Sequence, residues 1–198
     1  MKKKELRDRN GLTEAEFLSS YEPGDYVRPS VAADMVIFTV METEEENYRK
    51  LPEKELEVLL IQRGVHPYLG CWALPGGFVR PDETTEAAAR RELKEETGVD
   101  HVYLEQLYTF SEPERDPRTW VMSCSYMALI DSAKVRVRAG DDADQAVWFR
   151  ISFRLMDEHI EYRKNMTYDG MKTIRTKRYE LELSHEDVVL RSMIEKRL

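Results

Sequence analysis

The sequence predicts an α+β (α/β) fold: a mixed β-sheet sandwiched between helices, with an added β-hairpin. Three observations carry this. Short runs rich in aliphatic and aromatic residues recur between connections rich in Gly, Pro and charge. One stretch, Thr84 to Thr97, places strong helix formers between a capping threonine and a terminal glycine. Two further extended segments flank Tyr168-Asp169-Gly170, a turn signal. Strands and helices in this mixture bury their apolar faces by layering helices on a sheet.

Taken in order, the first eleven residues are charged and end in Asn10-Gly11, which favours a turn. Thr13 to Tyr21 reads as a short helix, with Thr13 as cap and Glu16 three residues on completing a capping box. Val31 to Val40 and Leu56 to Arg63 read as strands, the second apolar enough to be buried on both faces. A polar loop, Thr43 to Pro52, joins them. Trp72 to Leu74 starts a strand that leads into Pro75-Gly76-Gly77, where the glycines permit close backbone approach to a ligand. Val102 to Phe110, Trp120 to Ile130, Val135 to Arg138 and Ala146 to Arg150 read as further strands. Ile151 to Lys164 and Lys172 to Leu183 form the expected hairpin. Ser184 is read as the cap of a closing helix over His185 to Arg197, with Val188, Val189, Met193 and Ile194 as its apolar face. This divides the chain into an N-terminal extension with a short helix (1–30), a core (31–150), and a hairpin with closing helix that completes the same domain (151–198).

The 198 residues are enough for one domain with additions. A net charge of −8 argues against a general nucleic-acid binder, which would show a basic face. In the last fifty residues Lys and Arg alternate with Glu and Asp, so no basic stripe forms there either. Two cysteines, Cys71 and Cys124, offer no disulfide framework. No apolar run is long enough to span a bilayer, and no apolar segment follows the opening lysines as in a secretory signal. The expectation is a cytoplasmic protein without membrane or nucleic-acid partners.

The chemistry concentrates in GFVRPDETTEAAARRELKEETGV, Gly77 to Val99. Thr84 can cap the helix, Glu86 sits in its first turn, where the dipole favours a carboxylate, and Gly98 suits the left-handed C′ position. Glu92, Glu95 and Glu96 are spaced i, i+3, i+4 and converge on one face. Arg91 can offset their repulsion by pairing with Glu95 one turn on. Such a set beside a glycine turn suits a hard cation with oxygen ligands, Mg²⁺ or Mn²⁺. A solvated Glu-rich helix face is the plainer alternative, and helix periodicity alone does not require Glu83, Arg91 and both glycines together.

At every fixed position this stretch resembles the Nudix box: Gly77, Glu83, Arg91, Glu92, Leu93, Glu95, Glu96, Gly98 and Val99, with a weaker resemblance from about Tyr26 to Phe149. The resemblance implies the Nudix fold, with a second helix on the far side of the sheet, and cleavage of a nucleoside diphosphate linked to another moiety. It implies that Glu92, Glu95, Glu96 and the Gly76 carbonyl hold metal, that Arg91 orients Glu95 or Glu92, and that Glu83 holds the loop–helix geometry. Pro113, fifteen positions beyond Gly98, and the segments RPSVAADMVIF, HPYLGCWALPGGFV, ERDPR and AGDDADQAVWF resemble bacterial ADP-ribose pyrophosphatases. That resemblance points to ADP-ribose as substrate, AMP and ribose 5-phosphate as products, and a possible homodimer.

Arg115 and Arg118 could bind phosphates or the terminal ribose, since guanidinium matches phosphate in a bidentate way; solvated loop arginines are the equal alternative. Tyr68, Trp72 and Phe149 are candidates for adenine stacking, with core packing preferred for Trp72. Asp141, Asp142 and Asp144 are the carboxylates a later loop offers to the site. His66, beside a proline, is read as a surface or packing residue. Two other functions compete: another Nudix pyrophosphohydrolase, acting on an oxidised nucleotide or a nucleotide sugar, and a non-catalytic regulator that senses ADP-ribose.

Overall fold

The computed structural model describes residues 6–22, 24, 26–42, 53–131, 143–164 and 171–198. The elements are α1 (Glu14–Ser20), β1 (Ser30–Glu42), β2 (Lys54–Arg63), β3 (Trp72–Ala73), β4 (Gly76–Phe78), α2 (Thr85–Thr97), β5 (Glu105–Phe110), β6 (Val121–Leu129), β7 (Ala143–Lys164), β8 (Met171–His185) and β9 (Val188–Arg197). The strand order is β5-β6-β1-β2-β7-β8-β9, with β3 paired to β2 and β4 to β1. The sheet is mixed, because β1 runs parallel to β6 while its other pairings are antiparallel. The expected strand at Val135–Arg138, the turns at 139–142 and 168–170, and the loop 43–52 lie outside the described residues.

Burial explains the strand patterns. In β1 every second residue, Ala33, Met35, Ile37 and Thr39, is fully buried. In β2 four consecutive residues, Val58 to Ile61, are buried, so this strand is covered on both faces. On one face Ala88, Ala89 and Leu93 of α2 pack against Ala33, Met35, Ile37 and Leu59. The alanines let the helix approach the sheet closely. On the other face Val58, Leu60 and Phe149 form a second cluster, joined by Val36, Phe38, Trp72 and Leu74. Both α1 caps form as read: the Thr13 side chain accepts from the Glu16 N–H and Glu16 reaches back to the Thr13 N–H.

The last third differs from expectation. Residues 188–197 are a strand, not a helix. In β9, Leu190, Ser192 and Ile194 stand opposite Leu183, Leu181 and Tyr179 of β8. Ser184 is no cap; it is paired to Arg150 and Val189 within the sheet. The turn into β9 is Glu186-Asp187, with Glu186 at φ 48°. The physical reason is the partner strand. Val188, Val189 and Ile194 favour an extended backbone, and β8 offers a free edge whose register packs the half-buried Val188 and Leu190 against the second cluster. The second helix expected on the far side of the sheet is therefore absent among the described residues.

β7 is long enough to serve two purposes. Its first part pairs with β2 through Arg150, and the rest continues with β8 and β9 as a three-stranded extension. Near the core one face of this extension is apolar, with Phe153 stacked on Tyr179 at 4.6 Å, and further out the same face carries the Arg175–Glu158 pair at 3.1 Å. The other carries ion pairs: Arg154–Glu180 at 2.7 Å, Arg191–Glu182 at 2.7 Å and Arg178–Glu195 at 3.4 Å. Cross-strand pairs of both kinds stabilise a sheet.

Phe149 is fully buried, 4.9 Å from Trp72 in an edge-to-face contact and 5.6 Å from the His185 ring. It cannot stack on a ligand, which corrects the expectation that it would. As a core residue it sets a stability test: Phe149→Ala should destabilise the protein by about 3–5 kcal/mol in chemical denaturation. A change below about 1 kcal/mol would contradict its place in the core.

Candidate active site

Helix α2 sets the site. Thr84 caps it, its hydroxyl accepting from the Ala87 N–H at 3.1 Å, and Gly98 closes it at φ 72° with its N–H donating to the Lys94 carbonyl. Thr85 is 2.8 Å from the Tyr126 hydroxyl of β6, which ties the first turn to the sheet. Between these ends the carboxylates of Glu92 and Glu96 lie on the buried flank of the helix, each 9% exposed. Glu95, one turn from Arg91, is exposed.

Arg91 organises the acids. Its Nε and Nη2 donate to the two Glu83 oxygens at 3.1 and 2.7 Å. Its Nη1 donates to Glu92 at 2.5 Å and to Glu95 at 3.2 Å, and Nη2 also reaches the Phe78 carbonyl at 3.2 Å. Glu83 additionally accepts from the Arg80 N–H at 2.9 Å. Hydrogen bonds from Arg91 and then Arg80 hold the Glu83 carboxyl down at about 2. The same Glu83 contact pushes Arg91 above its usual range. The fork-to-fork pairing locks loop 78–83 to the helix in one geometry.

The Gly76-Gly77 turn, expected as a bare turn, is a short strand, β4, opposite Ala33 and Asp34 of β1. Gly76 has φ 152°, and a Cβ there would run into the Ala33 carbonyl oxygen. A Cβ on Gly77 would strike the Glu92 carboxylate. Glycine at 76 is thus what lets the turn lie on β1, and glycine at 77 what lets the Glu92 carboxylate touch it.

Glu96 is in the opposite condition to Glu83. Its Oε2 is buried with no hydrogen-bond partner among the described residues. Burial, then repulsion from Glu92 and Glu95, raises its carboxyl to about 7. A buried carboxylate oxygen without a donor is costly, and oxygen donors of this kind suit a hard divalent cation. Among the described residues no three Asp, Glu, His or Cys side chains form a preassembled cage. The donor set fits a cation through Glu92, Glu96, the solvent-facing Glu95 and the glycine turn.

Beside the turn opens a cleft of about 420 Å³, lined by Asp34, Arg63, Tyr68, Gly76, Arg115 and Ser123 among others. Three residues expected at the ligand reach it. Tyr68 is 57% exposed at φ 63°, Arg115 lies 5.8 Å from the Phe110 ring, and Arg118 lies 5.2 Å from the Phe78 ring. Arg118 is held by Asp116, with contacts of 2.8 and 3.0 Å, so neither residue is a free loop charge. That pairing brings Asp116 down to about 2. Trp72 both lines the cleft and packs on Phe149. Asp142 and Asp141 lie outside the described residues; Asp144 is exposed.

Sequence reasoning missed Asp34, Ser123, Arg63 and Asp116. Asp34 had a readable signal: it is the one charge within the apolar run VAADMVIFTV. It accepts a hydrogen bond from Ser123 Oγ. Burial raises its carboxyl, against the Ser123 hydrogen bond and the charge of Arg115.

Residues 37–166 match the NUDIX domain model. An ADPR responsive transcriptional repressor, NtrR, of Acinetobacter baylyi is 40% identical over 124 residues, 62% of this chain and 45% of that protein. An ADP-ribose pyrophosphatase of Methanocaldococcus jannaschii is 39% identical over 127 residues, 64% of this chain and 65% of its own. The chain thus spans less than two thirds of either relative. The crystal structure of a MutT/nudix family protein from Enterococcus faecalis superposes with a TM-score of 0.63 at 35% identity, covering 94% of this chain and 63% of that one. With the domain model matched over most of its length and the box geometry assembled as described, this chain belongs to the NUDIX domain family.

Proposed function

We propose that the chain hydrolyses a nucleoside diphosphate linked to another moiety, with ADP-ribose as substrate and AMP and ribose 5-phosphate as products, using Mg²⁺ or Mn²⁺. The observation that carries this reading is the partnerless Glu96 oxygen on the same buried flank of the helix as Glu92, whose carboxylate lies against Gly77 of the cleft wall. Glu92, Glu95, Glu96 and the Gly76 carbonyl would hold the cation. Bound there, it would polarise the phosphoryl oxygens, neutralise developing charge and lower the pKa of an attacking water. Arg91 and Glu83 keep the acids aimed at the turn. Arg115 supplies a cation on the cleft wall for the phosphates, and Tyr68 an exposed ring for the base. The choice of ADP-ribose is supported by the names of both relatives.

The second reading is a regulator that binds ADP-ribose without turnover, favoured by the likeness to the Acinetobacter repressor. The extension β7–β9 speaks against direct use of residues 151–198 on DNA. Its charged face is spent on internal ion pairs, and no helix lies there among the described residues to enter a groove.

Incubation with ADP-ribose and Mg²⁺ should yield AMP and ribose 5-phosphate, and Glu96→Gln should cut kcat by roughly 100-fold or more while the protein stays folded. Absence of turnover on every nucleoside diphosphate derivative, with either metal, would transfer the weight to the regulator.

The raised Glu96 carboxyl gives a pH test. Its folded value, about 7, lies above the ordinary 4.5, so the folded state holds this proton more tightly than the unfolded chain. The stability it contributes is complete below 4.5 and drains away as pH climbs to about 7. In EDTA, thermal unfolding of wild type should fall over this window relative to Glu96→Gln. Parallel curves for the two proteins would show that Glu96 is not held in this state.

A further inference from the structure

We infer that Asp34, fixed by Ser123 on the floor of the cleft, is a specificity-determining residue that accepts a hydrogen bond from a sugar hydroxyl lying next to the pyrophosphate of the substrate. This rests on the reading of the cleft as the site of a nucleoside diphosphate sugar. Asp34 belongs to β1, a strand that otherwise serves the core, and it stands opposite Gly76 in the β1–β4 pairing. Its Oδ2 accepts from Ser123 Oγ, and Ser123 is itself 1% exposed, so the side chain is held from below by a buried hydroxyl. Its Oδ1 has no hydrogen-bond partner among the described residues and lies beside Gly76, 3.1 Å from where a Cβ on that glycine would stand. Both residues line the cleft.

The chemistry of the ligand part follows from charge and distance. A carboxylate repels a phosphate, so Asp34 does not contact the pyrophosphate directly; Arg115, whose charge it feels, is the group suited to that. An ionised carboxylate only accepts hydrogen bonds, so it needs a donor from the ligand. Asp34 adjoins the glycine turn against which the Glu92 carboxylate lies, and the donor must therefore lie within a few bonds of the phosphates. Hydroxyls of the two riboses meet that condition. The amine of the adenine ring is at the far end of the nucleoside and does not. The same carboxylate disfavours any ligand with a further phosphate at that position.

The test is calorimetric titration in EDTA, where no turnover disturbs the equilibrium, of wild type, Asp34→Asn and Ser123→Ala. The ligands are ADP-ribose, its analogue lacking the adenosine 2′- and 3′-hydroxyls, and its analogue lacking the terminal-ribose 2- and 3-hydroxyls. Asn keeps the shape of Asp34 and can still accept from Ser123, and thermal unfolding checks that each variant is folded. Asp34→Asn should weaken ADP-ribose by about 10- to 100-fold, the usual weight of a hydrogen bond to a charged group. Ser123→Ala should do so by less. One analogue should bind wild type about as weakly as ADP-ribose binds Asp34→Asn, and should lose nothing more in the variant; which analogue does so identifies the ribose. Equal weakening of all three ligands by Asp34→Asn would make Asp34 merely structural, and unchanged binding would remove it from the site. Either result overturns this inference even where wild type with Mg²⁺ releases AMP. Failure of wild type to bind or cleave any nucleoside diphosphate sugar overturns it together with the functional reading.

Discussion

The pairing of Arg91 with Glu83, Glu92 and Glu95 is the constraint on which the site depends. Acids at i, i+3 and i+4 repel, and a helix bearing them beside a sheet would turn them to water. Arg91 prevents this by donating to three carboxylates at once. Its guanidinium is planar and permanently charged, so it can bridge the acids in one geometry where lysine would offer a single mobile point. Because Glu83 lies before the helix and also takes the Arg80 N–H, the contact fixes the path of the chain into α2 as well as the acids on it.

The sheet supplies the other half of the geometry. Alternation in β1 buries Met35 and Ile37 under α2 while Asp34, between Ala33 and Met35, faces the cleft. The Met35 N–H donates to the Pro75 carbonyl and the Val79 N–H to the Val31 carbonyl, at 2.8 Å each, which clamps the glycine turn onto β1. The turn then lies between the helix acids and Asp34. Glycine at 76 and 77 is demanded from both sides, by the β1 backbone and by the Glu92 carboxylate.

Much of this was legible in the sequence because it is local. Caps, the acid spacing and the box glycines act over a few residues, and Thr84, Arg91 and Gly98 do what their positions imply. What was not legible depends on distant partners. Val188 to Ile194 has apolar residues compatible with a helix face and with alternation, and only the edge of β8 decides for a strand. Phe149 reads as an aromatic near the end of a strand. Its burial comes from Val58 and Leu60 on β2 and from Trp72, none of them close in sequence. Asp34 was visible as a charge in an apolar strand, but its meaning needed Ser123 from β6, eighty-nine positions away, and the turn from β4.

The contrast between Glu83 and Glu96 bears on what the helix is for. The two carboxyls belong to one cluster, yet one is held near 2 and the other near 7. Arg91 accounts for the first, since its bonds go to Glu83, Glu92 and Glu95 and none goes to Glu96. A cluster selected only for stability would satisfy Glu96 too, or replace it by a residue without charge, because a buried acceptor lacking a donor opposes folding. Local rules are broken in this way where function requires it. On the function proposed above, a divalent cation would reverse the balance by favouring the ionised forms of Glu96 and Glu92 together. Under that proposal the unsatisfied oxygen would belong to a cation site rather than to a solvated helix face, and Arg91 would keep the remaining acids in place for the cation.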